Sequence, residues 1–278
     1  MSRVLAFISG KGGVGKTLLT AAFGVAAARA KKRVLLLDLD MGMGNLDLIL
    51  GLSPKYSMLG LLMGKCREKD ALISVMPGMD FLAAHFKKDW RDVRKSDISQ
   101  ILKEYAEEYD FILLDCPAGM GKGVEFAAKV ADILYLVVGP SAASLRSAAR
   151  MSMNFSAVKM RVLYNDFSAK ESISFREARS DTKRILFGGL IPHSDAVDRL
   201  AQQGRVYQYE ETLPFAKAIE MTVEAIDSDS ALSEEAFSSF LETEGKGKEA
   251  AVDQTELSGL SRLHRMRLGG RYGRRGRR

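Results

Sequence analysis

Gly10-Lys11-Gly12-Gly13-Val14-Gly15-Lys16-Thr17 follows directly on the apolar run 4–8 and opens the alanine-rich stretch 16–30. Strand, glycine-rich loop and helix in that order form the setting in which G-x-x-x-x-G-K-[ST] signifies phosphate binding. Glycines let the backbone curl so that successive N–H groups point at phosphate oxygens, and the helix N-terminus adds a partial positive charge. In such a loop Lys16 meets the β- and γ-phosphates, and Thr17 sets its hydroxyl on Mg²⁺. The alternative is a merely flexible glycine turn before a helix, and the strand–loop–helix order argues against it.

Working outward, short β-branched or leucine-rich runs recur at 34–37, 111–114, 133–138, 162–164 and 185–191. Helix-length segments at 16–30, 98–105, 141–155, 196–203 and 215–226 alternate with them. Strands apolar on both faces and separated by helices predict an α/β fold: a doubly wound, mainly parallel sheet flanked by helices. The expected organisation is one nucleotide-binding domain at 1–227, a solvated and disordered linker at 228–256 rich in Ser, Glu and Gly, and a basic tail at 257–278.

Composition narrows the function classes. The chain has 278 residues, 46% of them apolar, enough for one substantial core. Five apolar residues after Met1-Ser2-Arg3 are too few for a signal-peptide core, so secretion is not expected. The longest strongly apolar stretch, 133–138, is far short of the roughly 20 residues that span a bilayer. Cys66 and Cys116 lack C-x-x-C spacing, so neither a disulfide framework nor a shared metal or iron–sulfur site is expected. The net charge of +6 is carried by the tail, where residues 257–278 hold eight arginines and no acid. The remainder of the chain is close to neutral, so attraction to anionic partners resides at the C-terminal end.

The second apolar run ends Leu37-Asp38-Leu39-Asp40. This places two carboxylates at the carboxyl edge of the sheet, where ligands bind in such folds. Alternation along a strand points Asp38 and Asp40 the same way, toward the phosphates. The run at 111–114 ends in Asp115, as a Walker B strand should, with that carboxylate holding Mg²⁺ through water.

The string GKGGVGKT resembles the deviant phosphate loop of the MinD/ParA superfamily of ATPases. The likeness extends through Asn45-Leu46-Asp47-Leu48, Cys116-Pro117-Ala118-Gly119 and Ile191-Pro192 with Asp195, over roughly residues 1–226. It leans toward the branch that contains MinD and its flagellar relative FlhG. The resemblance implies ATP as nucleotide with Mg²⁺, cradled by Gly10, Lys11, Gly12, Gly13, Val14, Gly15, Lys16, Thr17 and Leu18. It implies that Lys11 reaches across a homodimer interface to the partner's phosphates, that Asp40 orients or activates the attacking water, and that Asp38 helps hold the Mg²⁺ shell beside Thr17 and Asp115. It further implies that Asn165 reads adenine and that backbone near Pro192 contacts the base. Three departures are visible. Leu18 stands where a hydroxyl is usual, Met120-Gly121 where a glutamate is usual, and Asp166 where a basic residue usually follows the asparagine.

Function follows by the same resemblance. The expectation is a cytoplasmic ATPase switch that dimerises with ATP and associates with the inner membrane surface. It would position the septum site or the flagellum and be released by hydrolysis that a regulatory protein partner stimulates. Segment 257–268 sits where a membrane-targeting helix belongs. At 100° per residue Leu257, Leu260, Leu263 and Leu268 share a face on the order of 140° wide, though His264 and Arg267 intrude. The Gly/Arg end, 269–278, offers nucleic acid as a second anionic partner. The rivals are a ParA-type DNA-partition ATPase and, disfavoured by the absence of C-x-x-C, a metallocluster-assembly or metal-insertion ATPase.

Overall fold

The strands in chain order are β1 (Arg3–Ser9), β2 (Val34–Asp38), β3 (Leu72–Met76), β4 (Met79–Leu82), β5 (Phe111–Ala118), β6 (Ile133–Val138), β7 (Met160–Phe167) and β8 (Leu186–Pro192). In this computed structural model the described residues are 2–41, 43–83, 95–155, 159–168, 173–237 and 239–240. All eight strands form one sheet in the order β3-β4-β2-β5-β1-β6-β7-β8. Every pairing is parallel except β3 with β4. The order reverses about β1, which pairs with β5 on one side and β6 on the other. Open α/β sheets bind ligands at the carboxyl ends of strands beside such a reversal.

Helix α1 (Lys16–Arg29) lies buried along almost its whole length, which suits its run of alanines better than an amphipathic pattern would. Small side chains bring it close to the sheet: a Cβ at Gly24 would stand 2.8 Å from Leu36 and from Met79. Five short helices follow: α2 (Leu46–Leu50), α3 (Met58–Leu62), α4 (Glu68–Ala71), α5 (Lys95–Tyr105) and α6 (Lys122–Val130). Next come α7 (Ala142–Asn154), α8 (Phe175–Asp181), α9 (Asp195–Gln202) and α10 (Pro214–Asp227), the last opened by a proline at its first position. Ser141, Ser174 and Ser194 cap α7, α8 and α9 by accepting a backbone N–H of the first turn.

Two expectations are corrected. The hairpin β3–β4 lies outside the expected apolar runs, and β3 makes the one antiparallel pairing among the described residues. As an edge strand β3 is only half-buried, and Asp80 interrupts β4, so neither produces a continuous apolar run. The stretch expected to be solvated from residue 228 instead returns to the body before residue 240. Residues 234–237 form a helical turn whose Phe237 is wholly buried. Its ring meets Phe187 edge-on at 5.5 Å, and Arg179 pairs with Glu234 at 2.6 Å. The rest of the linker and the whole of 257–278 lie outside the described residues. Among the described residues no helix is long and apolar enough to cross a membrane.

Candidate nucleotide site

The loop between β1 and α1 is fixed at both ends. Ser9 Oγ donates to the Lys11 carbonyl at 2.7 Å, and within α1 Thr20 Oγ1 donates to the Lys16 carbonyl at 2.9 Å. Gly15 must be glycine: its φ is +89°, and a Cβ there would fall 2.2 Å from Asn165 Nδ2. Around Gly12 and Gly13 a Cβ would meet nothing within 4 Å, so this arc of the loop faces open space. Lys11 is exposed on that open side, whereas Lys16, the first residue of α1, is buried. The two lysines of the motif therefore occupy different environments.

Beneath the loop the strand ends bring carboxylates together. Asp38, the last residue of β2, is the cross-strand partner of Asp115 within β5, and both are 2% exposed. Asp40 lies beyond the end of β2, so strand alternation is not what brings it near. Its N–H donates to Asp38 Oδ1 at 2.8 Å, and this local turn sets the two acids side by side. Gly44 closes over Asp38, where a Cβ would stand 2.2 Å from Oδ2.

The electrostatics follow from crowding acids in a dry place. Burial, then the Asp115 charge, holds the Asp38 carboxyl well above the usual carboxylate range. Burial also raises Asp40, against the nearby Lys16 ammonium. Burial pushes Asp115 up to about 6, although the Thr17 and Thr20 hydroxyls and Lys16 pull it down. Asp115 Oδ1 has no hydrogen-bond partner among the described residues. Cys116 is buried beside these acids, and its thiol is pushed well above the ordinary value.

The arrangement suits a hard divalent cation. An orphaned buried carboxylate oxygen, a second buried carboxylate and the Thr17 hydroxyl form an all-oxygen donor set of the kind Mg²⁺ takes, with further positions left for phosphate and water. Among the described residues no group of three or more His, Cys, Asp or Glu is poised to hold a metal.

A cavity of about 370 Å³ runs from the loop across the ends of β6, β7 and β8. Lys11, Gly12, Gly13, Val14, Gly15 and Leu18 line it together with Asn165 and Pro192. Asn165 is buried, and its Nδ2 donates to the Val14 carbonyl at 3.0 Å, tying β7 to the loop. Several lining residues were not anticipated: Gly139, Pro140 and Ser141 after β6, Asp166, and His193, Ser194, Val197 and Asp198 after β8. His193 stands next to Pro192 in a segment already singled out, and a titratable ring between a strand end and a helix cap was the available signal. Its Nδ1 lies 2.6 Å from Asp166 Oδ1 and its Nε2 2.9 Å from Asp195 Oδ1.

The sequence and the fold both resemble known proteins. Residues 5–206 match the family model of the CobQ/CobB/MinD/ParA nucleotide-binding domain. A candidate septum site-determining protein MinD of Emiliania huxleyi is 35% identical over 216 residues, covering 73% of this chain and 79% of that one. Among solved structures, MinD in the MinC:MinD cell division complex of Aquifex aeolicus superposes with a TM-score of 0.72 at 30% identity, covering 84% of this chain and 98% of that one. The septum site-determining protein MinD of Pyrococcus horikoshii, solved with Mg-ADP, gives a TM-score of 0.70 at 26% identity, with 82% and 96% covered.

Proposed function

The chain belongs to the CobQ/CobB/MinD/ParA nucleotide-binding family, and on that premise we propose that it is a MinD-type ATPase switch that governs placement of the division septum. The observation that carries this reading is the convergence of a buried Lys16, three acids and an exposed Lys11 about one glycine loop.

In this reading ATP lies in the cavity with its phosphates on residues 10–17 and its base toward Asn165 and Pro192. Lys16 and the loop N–H groups bind the β- and γ-phosphates. Thr17, Asp38 and Asp115 would hold Mg²⁺, which when bound neutralises charge building on the phosphate oxygens. Asp40 orients the attacking water and accepts its proton in a site whose raised carboxyl is suited to that task. Most of the rate enhancement then comes from positioning and charge neutralisation.

Lys11 completes the site in trans. It is exposed, and the segments flanking the carboxylates carry large exposed apolar side chains: Met43 at 76%, Leu48 at 62% and Met120 at 51%. Apolar side chains grouped around a charged mouth mark a surface that pairs with something. We assign that partner as a second copy of the chain, closing over two nucleotides. A regulatory protein bound to the dimer stimulates hydrolysis, in line with the MinC:MinD complex of the Aquifex relative. The dimer associates with the inner membrane surface through 257–268, two weak anchors acting together. Flagellar rather than septal placement is the nearest alternative within the same branch.

The test is phosphate release from ATP with Mg²⁺ by the full chain. Wild type turns over and Lys16→Ala does not, because the variant loses nucleotide. Equal turnover by the two proteins would remove the assignment.

A further inference from the structure

Beside the phosphate loop, two neighbouring segments line the cavity. One is the end of β7, with Asn165 and Asp166; the other joins β8 to α9, with Pro192 and His193. They are neighbours in the sheet, with Asn165 opposite Ile191 and Phe167 opposite Pro192. The His193 backbone N–H donates to the Phe167 carbonyl at 3.1 Å, and its ring reaches Asp166 on the facing segment at 2.6 Å while turning its other nitrogen to Asp195 of its own segment at 2.9 Å. Asp166 itself has φ +65°, an uncommon conformation for a residue other than glycine. This is where the β7–β8 register shifts, between Asn165 and Phe167.

We infer that His193 is a positioning residue for nucleotide binding: with Asp195 orienting its ring, it holds Asp166 and so fixes the end of β7 against the β8–α9 segment where the base lies. The inference rests on the nucleotide reading of this cavity.

The chemistry of the ring makes the bridge conditional. Imidazolium has two N–H donors and satisfies both carboxylates, whereas neutral imidazole has one donor and one lone pair, so one carboxylate then faces an acceptor. The charged groups facing the ring are Asp166 from β7, Asp195 and Asp198 from α9, and Lys11 on the phosphate loop. Partial burial disfavours the charged ring, but hydrogen bonds to Asp195 and Asp166 outweigh it and hold His193 above the ordinary histidine value. The sign is therefore fixed. The bridge is complete at lower pH and is lost as pH rises through the raised His193 value, so the hold on the end of β7 loosens and affinity falls.

The test is Mg-ADP binding to the full chain by calorimetry from pH 6 to pH 9, for wild type, His193→Gln and Asp166→Asn. Comparing variant with wild type at each pH cancels the nucleotide's own phosphate titration. At pH 6 His193→Gln should bind about three- to tenfold more weakly than wild type, the worth of one lost hydrogen bond, and the ratio should approach one by pH 9. Asp166→Asn removes one of the charges holding the proton, so its affinity should decline at lower pH than wild type. A ratio that stays the same across the pH range overturns the inference, since a merely structural histidine would weaken binding without a pH profile. So does an Asp166→Asn profile that coincides with wild type. Failure of wild type to bind Mg-ADP at any pH would overturn the nucleotide reading as well.

Discussion

Asp115→Asn removes one charge from the most crowded part of the site while preserving volume. The carboxyl is 2% exposed, sits opposite Asp38 in the sheet and is pushed from 3.8 to about 6. At about 1.4 kcal/mol per pKa unit, keeping it ionised at pH 7 costs the folded chain on the order of 3 kcal/mol. The asparagine amide oxygen can still accept from the neighbouring Thr17 hydroxyl, and loss of the charge also relieves Asp38. Without nucleotide or metal, the variant should therefore be more stable than wild type by about that amount, read from urea or guanidinium midpoints at pH 7. Because the folded value lies above the unfolded one, native wild type takes up a proton between about pH 6 and pH 4. Wild type thus gains stability as pH falls through that window and loses it as pH rises. The advantage of the variant should be full at pH 7 and fade by about pH 4. The same variant should lose the Mg²⁺-dependent part of its nucleotide affinity. An Asp115→Asn protein no more stable than wild type at pH 7, or more stable by the same amount at pH 4, would refute this electrostatic reasoning.

Asp40→Ala should keep ATP and accumulate as a stable dimer with turnover reduced at least tenfold, since it removes the group proposed to set up the water; turnover within threefold of wild type would reject that role. Truncation after Glu256 should spare ATP hydrolysis but abolish ATP-dependent co-sedimentation with anionic liposomes, and changing Leu260 and Leu263 together to Ser should do nearly the same. A buried leucine contributes roughly 1.5–3 kcal/mol and each basic residue at an anionic surface about 1 kcal/mol, so both kinds of residue should matter. If the double serine variant binds liposomes normally, or the wild type ignores them and shifts duplex DNA with strong salt dependence, the tail contacts nucleic acid instead.

The phosphate loop was legible because its chemistry is written in eight consecutive residues with their strand and helix beside them. Asp38 and Asp115 were legible because a buried apolar run that ends in an acid is an unusual local event. Asp40 is legible from its place at the carboxyl edge of the sheet and from the family resemblance, but the alternation expected to aim it does not apply, because a hydrogen bond from its own N–H to Asp38 sets its position beyond the strand end. The β3–β4 hairpin escaped because a half-buried edge strand carries a weak pattern. Phe237 escaped because one aromatic in a stretch of serine and glutamate carries no periodicity, and only the tertiary partner Phe187 gives it a place. The His193 bridge was invisible for a similar reason: its two carboxylates come from segments separated by the whole of β8, and only the sheet brings them together.

The central claim is that two copies of the chain close over ATP with Lys11 of each completing the other's site, and light scattering of Lys11→Ala tests it most directly. With ATP and Mg²⁺ the wild type should double its mass and with ADP return to monomer, while Lys11→Ala should still bind nucleotide yet remain monomeric in both. An undiminished ATP-dependent dimer in Lys11→Ala would contradict the account.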